Sequence, residues 1–426
     1  MSSPLSLILA AVPTVVLACQ AGGWAARHLG QPHVVGEMAV GILLGPSLIG
    51  WLAPSVQHTL LPPAVLPFTS LLGNLALLTF LFLVGLELDV RSLRTTRRAV
   101  ASVAAGSILL PLGLGAGLAV LMYPALAPPG VHRLPFVLFV ATALSVTAFP
   151  VLARILTDRG LATTHLGAFA LACAATDDAL AWCLLIAVTA LATAGSPLDA
   201  FTALALTTAL TAALTAARPI LKRILERAAR TSEDLVMVLL VAGLLLAACA
   251  TDRTGVHPAF GAFLFGATVP RGLPAVERSA ARLHAVFVPV LLPLFLVDTG
   301  LHTDLAHLPA GQWGWAALVL AVAVTGKWVG AAGAARLAGC DWRWSALMGT
   351  LMNCRGITEI VVLGVGLQLG VITQSLFTIM VFMAVVTTAA TAPLLDRLTR
   401  DAPDLAITAS AAEPVTTQPG TRGATR

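Results

Sequence analysis

Thirteen stretches of mostly apolar residues recur along the chain, near 5–26, 34–53, 67–88, 99–123, 135–156, 163–194, 198–217, 234–251, 255–270, 286–303, 312–335, 344–369 and 373–395. A helix of about 20 apolar residues crosses a hydrocarbon layer of roughly 30 Å. Most of these stretches reach that length; the ninth is short. Apolar segments follow one another without a soluble interlude. The pattern therefore predicts an all-α polytopic membrane protein of about 13 transmembrane helices, with one integral membrane domain over 1–395. The segment 396–426, rich in Ala, Thr, Pro and Arg, reads as a disordered tail. No basic segment precedes the first stretch, so it is expected to stay as a span rather than be cleaved as a leader.

The basic residues give this count an orientation. Odd-numbered loops hold Arg27; Arg91, Arg94, Arg97 and Arg98; Arg154 and Arg159; Arg218, Lys222, Arg223, Arg227 and Arg230; Arg271, Arg278 and Arg282; and Arg336 and Arg343. Even-numbered loops hold only Arg133 and Arg253. Cytoplasmic loops carry the excess of Lys and Arg. Seventeen against two thus puts the odd loops and the tail in the cytoplasm and the N-terminus outside. A missed or invented span would have scrambled the alternation after it.

Composition agrees. The chain is 58% hydrophobic and 11% charged, against about 25% charged residues in soluble domains. The net charge of +5 follows from the loop arginines, so no nucleic-acid partner is implied. The six cysteines are scattered, without a CxxC or Cys/His cluster, and read as small hydrophobes rather than disulfide or zinc ligands.

Few ionisable residues remain at membrane depth: Glu37, Asp177, Asp178, Asp298, Lys327, Arg355 and Glu359. Glu87 and Asp89 end the third stretch and read as interfacial. A charge at the bilayer centre costs roughly 2.5–3.5 kcal/mol on insertion scales. Two adjacent aspartates therefore point to a cation or a proton in transit. Lys327 is one of two lysines among 25 basic residues. Unlike arginine, a desolvated lysine can release its proton, which points to a pairing that breaks and re-forms; a permanent ion pair is the plainer alternative. Arg355 and Glu359 are four apart, on one helix face, and are expected to pair and steady the site. Asp298 is expected near the outer end of its span. For Glu37, lining a cavity and neutralising an arginine both stay open.

Two spans carry helix-breaking residues at depth, one around Pro150 and one from Asn353 to Gly356. Unwound backbone is tolerated in a membrane only where protein or water satisfies it. Two such segments, one in each half of the chain, point to a transporter built from inverted repeats with a site at the midplane.

Six segments carry a resemblance: QPHVVGEMAVGILLGPSLIG at 31–50, FLVGLELD at 82–89, SVTAFPVLARILTD at 145–158, AATDDALAW at 174–182, LPLFLVDTGL at 292–301 and MNCRGITE at 352–359. In this order they resemble the monovalent cation/proton antiporters, in the branch holding Kef-type systems and plant cation/H⁺ exchangers. The resemblance implies an inverted-repeat fold with two crossed, unwound helices, a core and a dimerisation subdomain, and a homodimer in the bacterial plasma membrane. It implies exchange of Na⁺ or K⁺ for H⁺ by alternating access, with no resident cofactor and no enzymatic activity. Asp178 would be the carboxylate that takes cation and proton in turn, with Asp177 as partner and Thr147 contributing near the break. Lys327, in a Gly-Lys-x-x-Gly segment, would pair with Asp177, a pattern associated with electrogenic exchange. Asp298 departs from the neutral residue expected there. Kef-type systems carry a cytoplasmic nucleotide-binding domain, for which a tail of about 30 residues is too short.

The competing reading is a cation-coupled symporter of a small organic anion on the same fold. An intramembrane aspartyl enzyme needs carboxylates facing each other from two helices, whereas neighbours on one helix point about 100° apart. No filter-like repeat points to a channel.

Overall fold

The computed structural model describes residues 4–87, 98–193, 197–254 and 256–400; among these the chain is helical, with no strand. Ten helices are long and apolar enough to span a membrane, and one pair bent by 44° makes eleven. The other two apolar stretches are also helical. One is α10, Pro197–Ala216; the other is α13, Pro258–Thr268, whose 11 residues fall short of a full crossing. His257 precedes it in the connecting loop. The helix expected to end at 395 runs on to Arg400, so five residues of the expected tail are helical. Residues 401–426 lie outside the described residues, as does Asp89.

The helices sort into two groups. The first contains α1 (Pro4–His28), α2 (His33–Leu44), α5 (Leu66–Glu87), α12 (Glu233–Arg253), α13, α14 (Pro274–Val286) and α15 (Leu292–Leu301). The short helices α3 (Ile49–Leu52) and α4 (Pro54–Leu60) connect α2 to α5, and a π-helical turn, Phe287–Leu291, joins α14 to α15. Glycines let backbones meet here. A methyl at Gly300 would collide with the carbonyl of Gly41, and one at Gly266 with that of Phe82.

The second group is α6 (Arg98–Leu126), the pair α7 (Arg133–Ser145) and α8 (Phe149–Asp158), and α9 (His165–Thr193), with α16 (Gln312–Leu337), the pair α17 (Trp342–Met352) and α18 (Ile357–Gln368), and α19 (Gln374–Arg400). Each half of this group is a helix, a broken pair and a helix, which is the expected repeat. The halves pack through α6 and α16, where Gly106 and Gly330 bring the backbones together. The two groups join along α2–α19 and through α10, which packs on α9 of the second group and on α13 of the first. The basic helix α11, Arg218–Thr231, links α10 to α12.

Candidate ion-binding site at two crossed helix breaks

Helix α7 stops because Val146 and Ala148 are extended (φ −68°, ψ 139° and φ −80°, ψ 92°). Pro150 then sits in the first turn of α8, where its missing N–H costs nothing. In the second half, α17 ends at Met352 and α18 begins after an extended Gly356. A Cβ there would meet Cγ2 of Val151 at 2.5 Å, so glycine permits the close crossing.

Main-chain and side-chain bonds stitch the breaks together. Ala148 N–H donates to the Cys354 carbonyl at 3.1 Å. Thr388 on α19 accepts from Arg355 N–H at 3.2 Å and lies 2.7 Å from the Arg355 carbonyl. A helix leaves its last carbonyls and first N–H groups unpaired, so each break exposes partial charges at depth. The Arg355 guanidinium answers the negative end of α7, donating to the carbonyls of Ala143 at 3.2 Å and Leu144 at 2.6 Å. It also donates to Glu359 at 2.7 Å, both side chains being fully buried. The positive end of α8 is answered by Asp178, whose Oδ2 accepts from Phe149 N–H at 3.2 Å.

Asp177 faces the neighbouring cation. Lys327 Nζ lies 3.0 Å from its Oδ2 and 2.5 Å from Thr147 Oγ1. Thr147 Oγ1 is 2.9 Å from Asp177 Oδ2 and 3.1 Å from the Met352 carbonyl. One hydroxyl proton serves only one of these acceptors at a time, so Thr147 can turn between the carboxylate and the break. Ser107 on α6 lies 2.9 and 2.8 Å from the two Asp177 oxygens.

All six expected site residues (Thr147, Asp177, Asp178, Lys327, Arg355 and Glu359) thus meet at the crossing, and each is essentially without solvent exposure. Asp298 and Glu37 lie in the other group. Asp298 accepts a hydrogen bond from Ser70. Glu37 is 3.3 Å from His33 and 3.2 Å from Gln20. Glu87 ends α5 and lines a cavity of about 560 Å³ with Arg271, Glu277 and His284. Sequence reasoning missed Ser107 and Thr388. Hydroxyls are common in apolar helices and usually bond their own preceding turn, as Thr350 does to Ala346, so neither stood out.

Several buried oxygens at the crossing lack any partner: Asp178 Oδ1, Asn353 Oδ1, Thr358 Oγ1 and Glu359 Oε2. Buried polar atoms are otherwise almost always hydrogen-bonded. Three acids (Asp177, Asp178, Glu359) against two bases (Lys327, Arg355) leave one formal negative charge with no counterpart. One monovalent cation or one proton would balance it.

An inverted-repeat, all-helical membrane fold with this uncompensated acidic site defines a secondary transporter of cations. The chain belongs to the sodium/hydrogen exchanger family, whose transmembrane region matches residues 15–397. It is 36% identical over 403 residues to the Na(+)/H(+) antiporter NhaS4 of Synechocystis sp., covering 93% of this chain and 98% of that protein. It is 32% identical over 407 residues to the K(+)/H(+) antiporter 1 of Saccharomyces cerevisiae, covering 92% of this chain but 46% of the yeast protein. Its fold is similar to the sodium proton antiporter MjNhaP1 of Methanocaldococcus jannaschii, with a TM-score of 0.64 at 13% identity over 95% of this chain and 99% of that one. Family membership decides for cation/proton exchange over the organic-anion symporter.

Proposed function

We propose that the protein exchanges Na⁺ or K⁺ for H⁺ by alternating access around Asp178, as a homodimer in a bacterial plasma membrane. The observation that carries this reading is Asp178 itself, a buried carboxylate with one oxygen held by the α8 N-terminus and the other without a partner. A bare charge there is penalised by desolvation, so the site crosses the membrane only when a cation or a proton neutralises it. Cation and proton then compete for one group, and that competition couples their movements.

Asp177 has a different part. With no cation bound it is held by Lys327; a bound cation competes with the ammonium, and Lys327 lets go of the carboxylate. Thr147 follows, its hydroxyl turning from the Met352 carbonyl to the ion. Arg355 and Glu359 do not touch the ion; they hold the breaks in register. The arginine alternation supports thirteen spans with the N-terminus outside, α10 and the short α13 being the seventh and ninth.

The test is proton flux in proteoliposomes on addition of Na⁺, K⁺ or Li⁺. Asp178→Asn is expected to abolish the cation-dependent flux while the protein still folds, because Asn keeps the acceptor for Phe149 N–H. Undiminished exchange by that variant would refute the assignment.

A further inference from the structure

The basic helix α11 takes no part in the ion site, and its surface is divided into stripes. Leu225 and Ala228 are buried in a cluster with Val236 and Leu240 from the first turns of α12. At its start, Arg218 donates to the carbonyls of Thr268 at 3.1 Å and Ala267 at 3.3 Å, tying α11 to the end of α13. Beside the buried stripe, at helical spacing, Ile220 and Ile224 are 59% and 44% exposed. Beyond the isoleucines, on the side away from Leu225, run Arg223, Arg227 and Arg230, all exposed. Their side chains have no acidic partner among the described residues, whereas Lys222 is paired with Glu226 at 3.7 Å.

We propose that this face of α11 binds the phosphate headgroups of anionic phospholipids in the cytoplasmic leaflet, an inference that rests on the orientation given above. Three arginines in a row without an acidic partner concentrate positive charge along one stripe, which attracts anions. The exposed isoleucines next to them select an amphiphile, whose phosphate meets the arginines while its chains cover the apolar stripe. On α12, the next helix, Leu235 and Val238 are also exposed. A second copy of the same face is disfavoured, because α11 carries five basic residues and one acidic residue and would repel itself. Since Arg218 fixes α11 to α13, lipid bound here steadies the cytoplasmic ends of α10, α12 and α13 together.

The experiment titrates phosphatidylglycerol, phosphatidylcholine or inorganic phosphate into the full-length protein in neutral detergent and follows the apparent melting temperature. Transport is not read, so failure here is distinct from failure of the exchanger assignment. Phosphatidylglycerol is expected to raise the melting temperature saturably, and the other two to do much less. Each arginine removed weakens the half-saturating concentration about fivefold, so Arg223→Gln, Arg227→Gln and Arg230→Gln together weaken it roughly a hundredfold. The corresponding triple lysine variant keeps most of the response, which separates charge from folding. Arg397→Gln with Arg400→Gln, exposed at the end of α19, leaves it unchanged. An unaltered response in the triple glutamine variant would overturn the proposal, as would an equal response to phosphatidylcholine or to inorganic phosphate alone.

Discussion

Replacing Arg355 by Gln perturbs the crossing in a way whose size follows from its bonds. The guanidinium serves three acceptors: the Glu359 carboxylate and the carbonyls of Ala143 and Leu144. Removing one partner of a buried ion pair costs about 3–5 kcal/mol, because the other charge is left uncompensated. Each carbonyl left unsatisfied adds about 1–3 kcal/mol. Since the terms share one group they do not add fully, and roughly 5–8 kcal/mol is expected for Arg355→Gln. That is a large share of a typical stability of about 5–15 kcal/mol. Glu359→Gln leaves Arg355 bonded to both carbonyls and the two remaining acids, Asp177 and Asp178, matched by two bases, so no charge is stranded and the cost is about 1–3 kcal/mol. The double variant removes the stranded carboxylate and is expected to recover about 2–4 kcal/mol relative to Arg355→Gln alone. Melting in detergent and the amount of folded protein recovered from membranes give the ordering: wild type, then Glu359→Gln, the double variant and Arg355→Gln. If Glu359→Gln proves as damaging as Arg355→Gln, or the double variant melts no higher than Arg355→Gln, the guanidinium is not what holds the breaks.

Other outcomes follow from the same contacts. Asp177→Asn combined with Lys327→Gln removes the ion pair as a unit, and proteoliposome flux is expected to persist in part with an altered dependence on membrane voltage; complete loss of flux would make the pair indispensable to the binding step itself. Gly300→Ala drives a methyl into the Gly41 carbonyl and should lower stability by about 1–3 kcal/mol, which an unchanged melting temperature would contradict. In the loop before α13, His257 Nδ1 accepts from Ala259 N–H at 3.2 Å while Nε2 faces Gln368 Oε1 at 3.2 Å. Burial holds this histidine below its ordinary value, against weaker opposing effects of Gln368 and Asp252. The unfolded chain therefore takes up a proton first, and this part of the stability, complete above about pH 6.5, declines as the pH falls through that value. Melting temperatures from pH 8 to 5 should show the decline in the wild type and a shallower one in His257→Asn; equal slopes would count against the cap.

Much of the site was legible because charge is so conspicuous in an apolar chain. Asp177, Asp178, Lys327, Arg355 and Glu359 could be picked out by being ionisable at depth, and the breaks by Pro150 and Gly356. Arg355 and Glu359 could even be paired from their spacing. What spacing could not give was the longer reach of the same guanidinium to Ala143 and Leu144, more than 200 positions away. That contact exists only because the two halves cross. Ser107 stayed hidden because a hydroxyl among alanines carries no marker of its own. Glu37 was visible but its partners were not: His33 lies on its own helix, while Gln20 comes from the helix before it.

The bond from Ala148 N–H to the Cys354 carbonyl has a mechanical consequence. With Arg355 reaching across the same gap, the interrupted segments are fastened at their weakest points. In the alternating access proposed above they would travel as one cassette, a displacement of either dragging the other along. A disulfide engineered between them at this level would therefore leave turnover running, whereas a clamp between α2 and α19, where the two groups of helices adjoin, would bring it to a halt.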